Sequence, residues 1–316
     1  SPKTPLSIRF WGFIFAHDRP YNFLKLIRFL FKTLLVLLLL GFLILLTGDF
    51  YWKERFRSYS TYNTKALIIA HRGASGQAPE NTLAAIKLAL EQKADMIEID
   101  VFLTKDGHLV VLHDETVNRT TNGQGSIDSL TLAEAKKLDA GSWFSSQYQG
   151  EKIPTLDEVL QLVQGKAQLL IEIKKSGRNI SQKVNDLVKA HKASKWCVVQ
   201  SFDPKVAIHL RELGSPLEKH QLVLGNFPLF LPYHYNKKLG KGKITQYKKV
   251  EAINTMYLFT TKNVIDQIHK QKQRIFVWTV NQPKDIRKLL QMGVDGLITD
   301  FPAKAREVKN NLAKID

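Results

Sequence analysis

The sequence predicts an α/β fold over residues 66–316, built as a closed (β/α)8 barrel. Short, almost wholly apolar runs alternate with stretches of helical spacing, as expected for a parallel sheet covered by helices. No break in composition divides this region into two domains, and about 250 residues is the usual size of such a barrel. Ionisable residues follow several of the apolar runs, where a barrel builds its active site.

Residues 1–65 precede the predicted barrel and divide into three parts. Residues 1–32 mix aromatic with basic side chains, a composition that suits a segment lying among lipid headgroups. Residues 33–52 open with an uncharged, leucine-rich run and end in the aromatic triplet FYW. This pattern predicts a transmembrane helix that serves as a single-pass N-terminal anchor. Residues 53–65 are a polar linker.

Two other interpretations of the apolar run fit less well. A signal peptide would have a short basic start and a small-residue cleavage site, but a long segment precedes this run and no such site follows. A buried soluble helix would show a polar face, which the run lacks. Basic residues flank the run four against four, so the positive-inside rule does not fix the orientation. Of the two sides of the membrane, we favour the extracytoplasmic side for the barrel.

The composition restricts the partners of the chain. The formal net charge of +17 indicates an anionic partner such as a membrane lipid or a phosphate substrate. Neither paired Cys/His spacing nor an aromatic RNA-binding run is present in the sequence, so we expect no nucleic-acid partner. Cys197 is the one cysteine, which excludes an internal disulfide framework. The N-terminal part also offers a surface for a second copy of the chain, so a homo-oligomer stays among the expected partners.

Nine runs in the barrel region have the composition of strands, one more than the eight positions of the barrel. We expect either 221–225 or 251–256 to lie outside the barrel. The first helix is expected to start at Pro79 and Glu80, because proline suits the first turn of a helix. The nine runs span residues 66–70, 95–101, 108–113, 168–174, 197–202, 221–225, 250–259, 274–280 and 296–300.

Two connections depart from regular strand–helix alternation. Only FLTKDG joins the second and third runs, which is too short for a parallel crossover. We therefore expect the chain to run back in extended form and to turn at Asp106 and Gly107. An insertion at about 114–153 then follows the third run, and within it only TLAEAKKL has a helical pattern. A loop this long in a compact domain is usually functional.

Ionisable and aromatic side chains gather at the ends of the predicted strands. Residues two apart in a strand face the same side, so Glu98 points with Asp100, and Glu172 with Lys174. One such residue alone is more often structural, but burying this many carboxylates costs several kcal/mol each unless a cation compensates. The residues are His71, Glu98, Asp100, His113, Asp114, Glu172, Lys174, Trp278 and Asp300.

These residue types are the parts needed to cleave a phosphodiester. Three carboxylates without a cysteine cluster suit one hard divalent cation, Ca2+ or Mg2+. Two histidines can remove and deliver a proton near neutral pH. Arg72 and Lys174 suit the oxygens of a phosphate. Together these groups predict metal-assisted phosphodiester hydrolysis.

A series of motifs runs in order from about residue 66 to 302. They are HRG with PENT, EID, VVLHDETVNRTTNGQG, LDAGSWF, GEKIPTLDEVL, IEIK, SF, VWTVN and GVDGLITDFP. Together these motifs resemble the glycerophosphodiester phosphodiesterase family, over about three quarters of the chain.

The resemblance implies a (β/α)8 barrel with a small insertion after the third strand, and it gives the site residues four roles. His71 and His113 are the implied general acid–base pair, and Glu98, Asp100 and Glu172 are the implied metal ligands. Arg72 and Lys174 are the implied phosphate contacts, and Trp278 is implied to lie beside the alcohol. Glu80 and Asn81 are implied to hold the site from behind.

The resemblance implies hydrolysis of a glycerophosphodiester to glycerol 3-phosphate and an alcohol. The alternative substrate is a lysophospholipid, hydrolysed in a lysophospholipase D-type reaction to lysophosphatidic or cyclic phosphatidic acid. Residues 226–249 motivate it, because their apolar first half and lysine-rich second half suit a lid at a lipid surface as well as a solvated loop. A second alternative is a membrane-anchored, non-catalytic lipid-binding scaffold, which would release no alcohol from any glycerophosphodiester.

Overall fold

The structure, a computed structural model, describes residues 25–42, 63–224 and 247–313. The chain forms two compact units, residues 1–56 and residues 57–316. The described part of the first unit is helix α1 (25–42), whose large apolar side chains are between 46% and 66% exposed.

The predicted anchor, residues 33–52, is only partly covered by the described residues. Residues 33–42 belong to α1, and the remainder of the anchor lies outside the described part of the chain. No helix within the described ranges is both long enough and apolar enough to cross a membrane.

Eight parallel strands close into a barrel, as the sequence predicts. They pair in the order β1-β2-β4-β5-β6-β7-β8-β9, and β9 pairs with β1 again to complete the circle. Their apolar character follows from burial on both faces, against the barrel interior on one side and the helices on the other. The barrel strands are β1 (Leu67–Ala70), β2 (Met96–Leu103), β4 (Gln168–Ile173), β5 (Cys197–Ser201), β6 (Glu218–Val223), β7 (Ala252–Met256), β8 (Arg274–Trp278) and β9 (Gly296–Thr299).

The ninth strand, β3 (Leu109–Val111), pairs antiparallel with β2 and lies outside the barrel. The expectation that 221–225 or 251–256 is peripheral is therefore wrong, because these runs supply β6 and β7. The reason is the length of β2, which pairs with β4 only as far as Val101 and uses its last residues to pair with β3. The predicted reversal at Asp106 and Gly107 is confirmed, with Gly107 at a φ of +84°.

The helices follow the strands and cover the outside of the barrel. Apolar side chains of the strands and helices form the layer between them. Several helices begin at a threonine or aspartate whose side chain accepts a backbone N–H, as at Thr155, where Glu158 completes a capping box. The helices are α2 (Leu83–Glu91), α3 (Leu132–Ala135), α4 (Leu156–Val163), α5 (Ile180–Ala190), α6 (Pro204–Glu212), α7 (Lys262–Lys270), α8 (Pro283–Met292) and α9 (Pro302–Leu312).

The first barrel helix starts later than the sequence indicates. The expected start at Pro79 and Glu80 is wrong, because α2 begins at Leu83 with Thr82 as its N-cap. Asn81 has a φ of +58°, in the left-handed region, which interrupts any helical turn before it.

The insertion after β3 has a small core of its own. Its α-helix, α3, lies within the predicted TLAEAKKL segment and begins at a capping box on Thr131. Asp139 holds the following turns, since its carboxylate accepts bonds from the backbone N–H groups of Gly141, Ser142 and Gly150. The core consists of Phe102, Val110, Leu112, Val117, Ile127, Ala135, Ala140 and Ile153.

Candidate active site

Three buried carboxylates meet at the carboxyl ends of two neighbouring strands. Asp100 on β2 lies directly beside Glu172 on β4, and Glu98 precedes Asp100 by two residues on the same face. One carboxylate oxygen of each residue lies within 4.8 Å of the others. Asp100 is 1% exposed, Glu172 is 6% exposed and Glu98 is 2% exposed. The structure therefore brings together the three residues that the sequence predicts as metal ligands.

The carboxylates carry more negative charge than the surrounding protein compensates. Burial and the neighbouring acids raise the pKa of Glu98 well above its ordinary value, and burial raises the pKa of Glu172 to about 7. Burial acts in the same direction on Asp100, but Lys174 and Arg72 outweigh it and hold the pKa of Asp100 below its usual range. Carboxylates that retain protons in this way are suited to a divalent cation, which would replace those protons.

The two predicted phosphate contacts lie against this cluster. Lys174 Nζ is 2.7 Å from Glu172 Oε1 and 3.3 Å from Asp100 Oδ1. Arg72 donates its backbone N–H to Glu98 Oε2 at 2.9 Å, and its Nε is 3.4 Å from Asp100 Oδ2. Both cationic side chains could therefore contact a phosphate group that a metal ion holds beside the carboxylates.

His71 follows β1 and is held by an aspartate at the end of β9. Its Nδ1 is 2.7 Å from Asp300 Oδ1, which also accepts a hydrogen bond from Ser75 at 3.0 Å. Asn281 donates to the other oxygen of Asp300 at 2.5 Å and accepts the backbone N–H of Asp300 at 2.9 Å. Burial alone would raise the pKa of Asp300, but the hydrogen bonds from His71, Asn281 and Ser75 outweigh it and lower the pKa below its ordinary value. Asp300 is therefore ionised at neutral pH.

His113 reaches the same site from β3 and is held by a different aspartate. Its Nδ1 is 2.7 Å from Asp114 Oδ1, and Arg119 Nε donates to Asp114 Oδ2 at 2.6 Å. Burial, followed by the positive charges of Lys174 and Arg72, lowers the pKa of His113 below its ordinary value despite the nearby Asp100. The ring is therefore neutral at neutral pH.

The PENT motif braces the site from behind. Asn81 uses both ends of its amide on Asp100, donating to Oδ2 at 2.8 Å and accepting the backbone N–H at 3.2 Å. Glu80 accepts from Arg72 at 2.7 Å and receives two bonds of 2.8 Å from the guanidinium of Arg119. Arg72 and Asn81 both have positive φ angles, and such strained residues cluster at functional sites.

Glycine is required where this loop turns. Gly73 has a φ of +83°, and a Cβ there would come within 2.6 Å of the backbone of Ala85. A Cβ on Gly76 would overlap the ring of Phe301. The first strand can therefore pass directly into the site without a side chain in the way.

Trp278 ends β8 and forms an apolar wall with Phe202. The two rings meet edge to face at a centroid distance of 5.7 Å. Trp278 Nε1 donates to the backbone oxygen of Asn254 at 3.1 Å, which fixes the ring.

Several residues in contact with the site were not predicted as site residues. The sequence places Asp114 and Asp300 at strand ends but does not indicate that each one pairs with a histidine. Arg119 lies in the motif VNRTTNGQG, but nothing in the sequence indicates that it binds Glu80, 39 residues away. The others are Ser75, Asn281 and Gln200, whose contacts form only in the folded chain.

The arrangement combines a carboxylate cluster that could hold a cation, two cationic side chains and two histidines in one mouth of the barrel. Such a site can bind a phosphodiester and exchange protons with it. The predicted lid, residues 226–249, lies almost wholly outside the described residues.

Comparisons with known proteins agree with this chemistry. The model of the glycerophosphoryl diester phosphodiesterase family matches residues 71–304. A glycerophosphodiester phosphodiesterase of Caldanaerobacter subterraneus is 38% identical over 243 residues, which cover 75% of this chain and 95% of the relative. A human lysophospholipase D is 25% identical over 272 residues, covering 78% of this chain and 86% of the relative.

A solved structure supports the same assignment. An Oleispira antarctica phosphodiesterase in complex with the product sn-glycerol-3-phosphate has a TM-score of 0.66 and 30% identity, over 77% of this chain and 96% of that one. The chain belongs to the glycerophosphoryl diester phosphodiesterase family.

Proposed function

We propose that the protein hydrolyses glycerophosphodiesters to glycerol 3-phosphate and an alcohol, with a divalent cation and a pair of histidines. The observation that carries this proposal is the cluster of three buried carboxylates in the same site as two aspartate-paired histidines. The family and the named relatives support the activity, and the geometry supports the roles of the residues.

Glu98, Asp100 and Glu172 would hold the cation. Oxygen ligands suit Ca2+ and Mg2+ alike, and both stay in the proposal. A cation bound there would supply positive charge to the non-bridging phosphate oxygens. Arg72 Nε lies 3.4 Å from Asp100, and Lys174 Nζ lies 2.7 Å from Glu172 and 3.3 Å from Asp100. Both side chains would contact the same phosphate group.

His71 and His113 would divide the proton transfers between them. An aspartate at Nδ1 fixes the ring of each histidine, so we assign Nε2 of each ring to proton exchange. One ring removes a proton from the nucleophile and the other protonates the leaving oxygen. Water and the 2-hydroxyl of glycerol, which would give a cyclic phosphate first, are both retained as nucleophiles.

The test is the metal-dependent release of choline from glycerophosphocholine. We expect turnover with Ca2+ or Mg2+ and none after chelation, and His71→Ala or His113→Ala should lower kcat by about 100-fold or more. His108→Ala is the matched control, because His108 is exposed and lies outside the site. Turnover that survives both chelation and the loss of either histidine would rule out the proposed chemistry.

Lysophospholipids are the second candidate substrates, favoured by the name of the human relative. Release of choline from lysophosphatidylcholine should be compared with release from glycerophosphocholine under the same metal conditions. A strong preference for the acylated substrate would replace the first candidate. Lipid binding without release from either substrate would favour the scaffold alternative.

We further propose that residues 33–52 anchor the chain in a membrane. The support is the uncharged run in the sequence and the exposure of the leucines of α1. Wild-type chain should stay in the membrane fraction during alkaline carbonate extraction, whereas Leu37→Arg combined with Leu40→Arg should release it. Equal retention of both proteins would contradict the anchor.

A further inference from the structure

A layer of uncharged polar side chains lies in the barrel interior next to Glu98 of the carboxylate cluster. It consists of Gln200 on β5, His220 on β6 and Asn254 on β7, and we call these three residues the polar layer. They are 2%, 2% and 0% exposed. Gln200 contacts Glu98, and the ring of His220 stacks on Phe276 with centroids 5.0 Å apart. The polar layer thus joins a carboxylate of the site to the apolar interior of the barrel.

The hydrogen bonds of the polar layer lead to Glu98 in one direction. Asn254 Nδ2 donates to Gln200 Oε1 at 2.6 Å, and Gln200 Nε2 donates to Glu98 Oε1 at 3.2 Å. Asn254 Nδ2 is also 3.4 Å from Nδ1 of His220. Because Asn254 offers an N–H to Gln200, the amide of Gln200 must present its own N–H, and not its oxygen, to Glu98.

His220 fixes the far end of the polar layer. Its Nε2 is 2.9 Å from Glu218 Oε1, and Glu218 is also bound by Arg274. Burial lowers the pKa of His220 to about 3, so the ring is neutral and carries its single proton on the nitrogen that faces Glu218. Nδ1 is then an acceptor, which holds Asn254 with its N–H groups toward His220 and Gln200.

Fold stability alone does not account for the polar layer. Within the described residues, Asn254 Oδ1 is buried without a hydrogen-bond partner, which costs free energy relative to an apolar side chain. Other residues of the barrel interior, such as Leu170 and Val198, are apolar. A polar network in this position needs another explanation, and among the described residues its side chains reach the carboxylate cluster through the hydrogen bond to Glu98.

We propose that the polar layer positions Glu98 for the cation, with Gln200 as the contact residue and Asn254 setting the orientation of Gln200. Oε1 of Glu98 is held by Gln200, and Oε2 by the backbone N–H of Arg72. The plane of the carboxylate is thereby fixed before a cation arrives. The inference rests on the proposed metal-dependent function. It goes beyond that function because it makes the affinity for the cation depend on residues that would not themselves contact the cation.

The test measures cation binding to the full chain by titration calorimetry, with Ca2+ and with Mg2+. Gln200→Met keeps the size of the side chain and removes the donor, and Asn254→Leu removes the group that orients Gln200. Each change should weaken the Kd for the cation by about 10-fold to 100-fold. The double variant should bind within about threefold of Gln200→Met alone, because both changes act through the same bond.

Gln221→Met is the matched control. Gln221 is a buried glutamine on β6 whose amide donates to the backbone oxygens of Ser201, Phe202 and Leu222, away from the carboxylates. This variant should lower the Tm of the metal-free protein and leave the Kd for the cation unchanged. It separates a loss of packing from a loss of positioning.

Two outcomes distinguish failure of this inference from failure of the proposed function. If the wild-type chain binds a cation and folded Gln200→Met and Asn254→Leu bind it equally well, the positioning role is overturned and the metal site stands. If the wild-type chain binds neither cation, the metal site itself is overturned, and the positioning role with it. Asn254→Val, a smaller strand-forming substitution, replaces Asn254→Leu if that variant does not fold, and the same weakening is expected.

Discussion

The two histidines of the site differ in the origin of the aspartate that holds each one. Asp114 follows His113 immediately in the chain, whereas Asp300 is 229 residues from His71. Asp300 is itself fixed by Asn281, so three separate segments of the chain determine the position of one imidazole ring. An orienting carboxylate of this kind selects the tautomer of the histidine and fixes the direction of its ring.

Replacing Asp300 tests this arrangement at the scale of a residue. Asp300→Asn keeps the size of the side chain but removes its charge, so His71 loses the carboxylate that orients its ring. We expect kcat for glycerophosphocholine to fall by about 10-fold or more. Ser75→Ala is the control, since Ser75 donates to the same oxygen of Asp300 and its loss leaves the pair with His71 intact. Unchanged kcat in Asp300→Asn would show that His71 needs no orienting carboxylate.

At the scale of elements, the insertion after β3 supplies more than a covering loop. Its Arg119 binds Asp114, which holds His113, and also binds Glu80, which holds Arg72. One guanidinium therefore connects a histidine on one side of the site with Arg72, the predicted phosphate contact, on the other. The planar fork of arginine can engage two carboxylates at once, which a lysine ammonium cannot do with the same geometry.

Substituting Arg119 measures the value of this connection. Arg119→Lys keeps the charge and removes the fork, so we expect kcat/KM for glycerophosphocholine to fall by about 10-fold. Lys175→Met provides the comparison, because it breaks an exposed ion pair with Glu115 on the same face and should change kcat/KM less than twofold. If both variants behave alike, Arg119 contributes only surface charge.

The short strand β3 has a comparable role. It runs antiparallel to β2, and the chain that leaves it brings His113 back to the level of Asp100. The backbone carbonyl oxygen of Asp100 accepts the backbone N–H of Leu112 at 3.0 Å. A parallel strand in this place would need a helical crossover. The long β2 and the turn at Gly107 thus deliver a histidine to the site without a helix.

At the scale of the whole molecule, cation binding and stability are linked through the buried carboxyls. The pKa of Glu172 is about 7 and that of Glu98 is also raised, whereas both groups in an unfolded chain titrate near pH 4.3. Between these values the folded, metal-free protein binds more protons than the unfolded chain, so stability from these groups falls as pH rises toward 7. A cation bound at the proposed site would remove this penalty and compete with the protons.

The expected result is a pH-dependent rise in Tm on adding a cation. At pH 8, Ca2+ or Mg2+ at about 100 times its Kd should raise Tm by about 5–10 °C, measured by calorimetry. At pH 6 the same concentration should raise Tm less, because protons occupy the carboxyls. Glu172→Gln should show little rise at either pH. A rise of equal size at both pH values in the wild-type protein would contradict the raised pKa of Glu172.

The sequence by itself determined the barrel and the gathering of its ionisable residues at one mouth. Apolar runs of strand length that alternate with helical spacing have few solutions other than a parallel sheet covered by helices. The ionisable residues at the ends of those runs, such as Glu98 and Glu172, must then face the same mouth. These inferences hold because periodicity and strand direction are local properties that the sequence carries directly.

Only the tertiary structure decided which strand lies outside the barrel and what holds each histidine of the site. The composition of β3 is that of a barrel strand, and its antiparallel pairing depends on how far β2 extends past β4. The pairing of β1 with β9 sets Ala70 beside Thr299, so that His71 meets Asp300 across the closure of the barrel. No local pattern encodes such contacts, because they join residues that are distant in the chain and meet only once the barrel is closed.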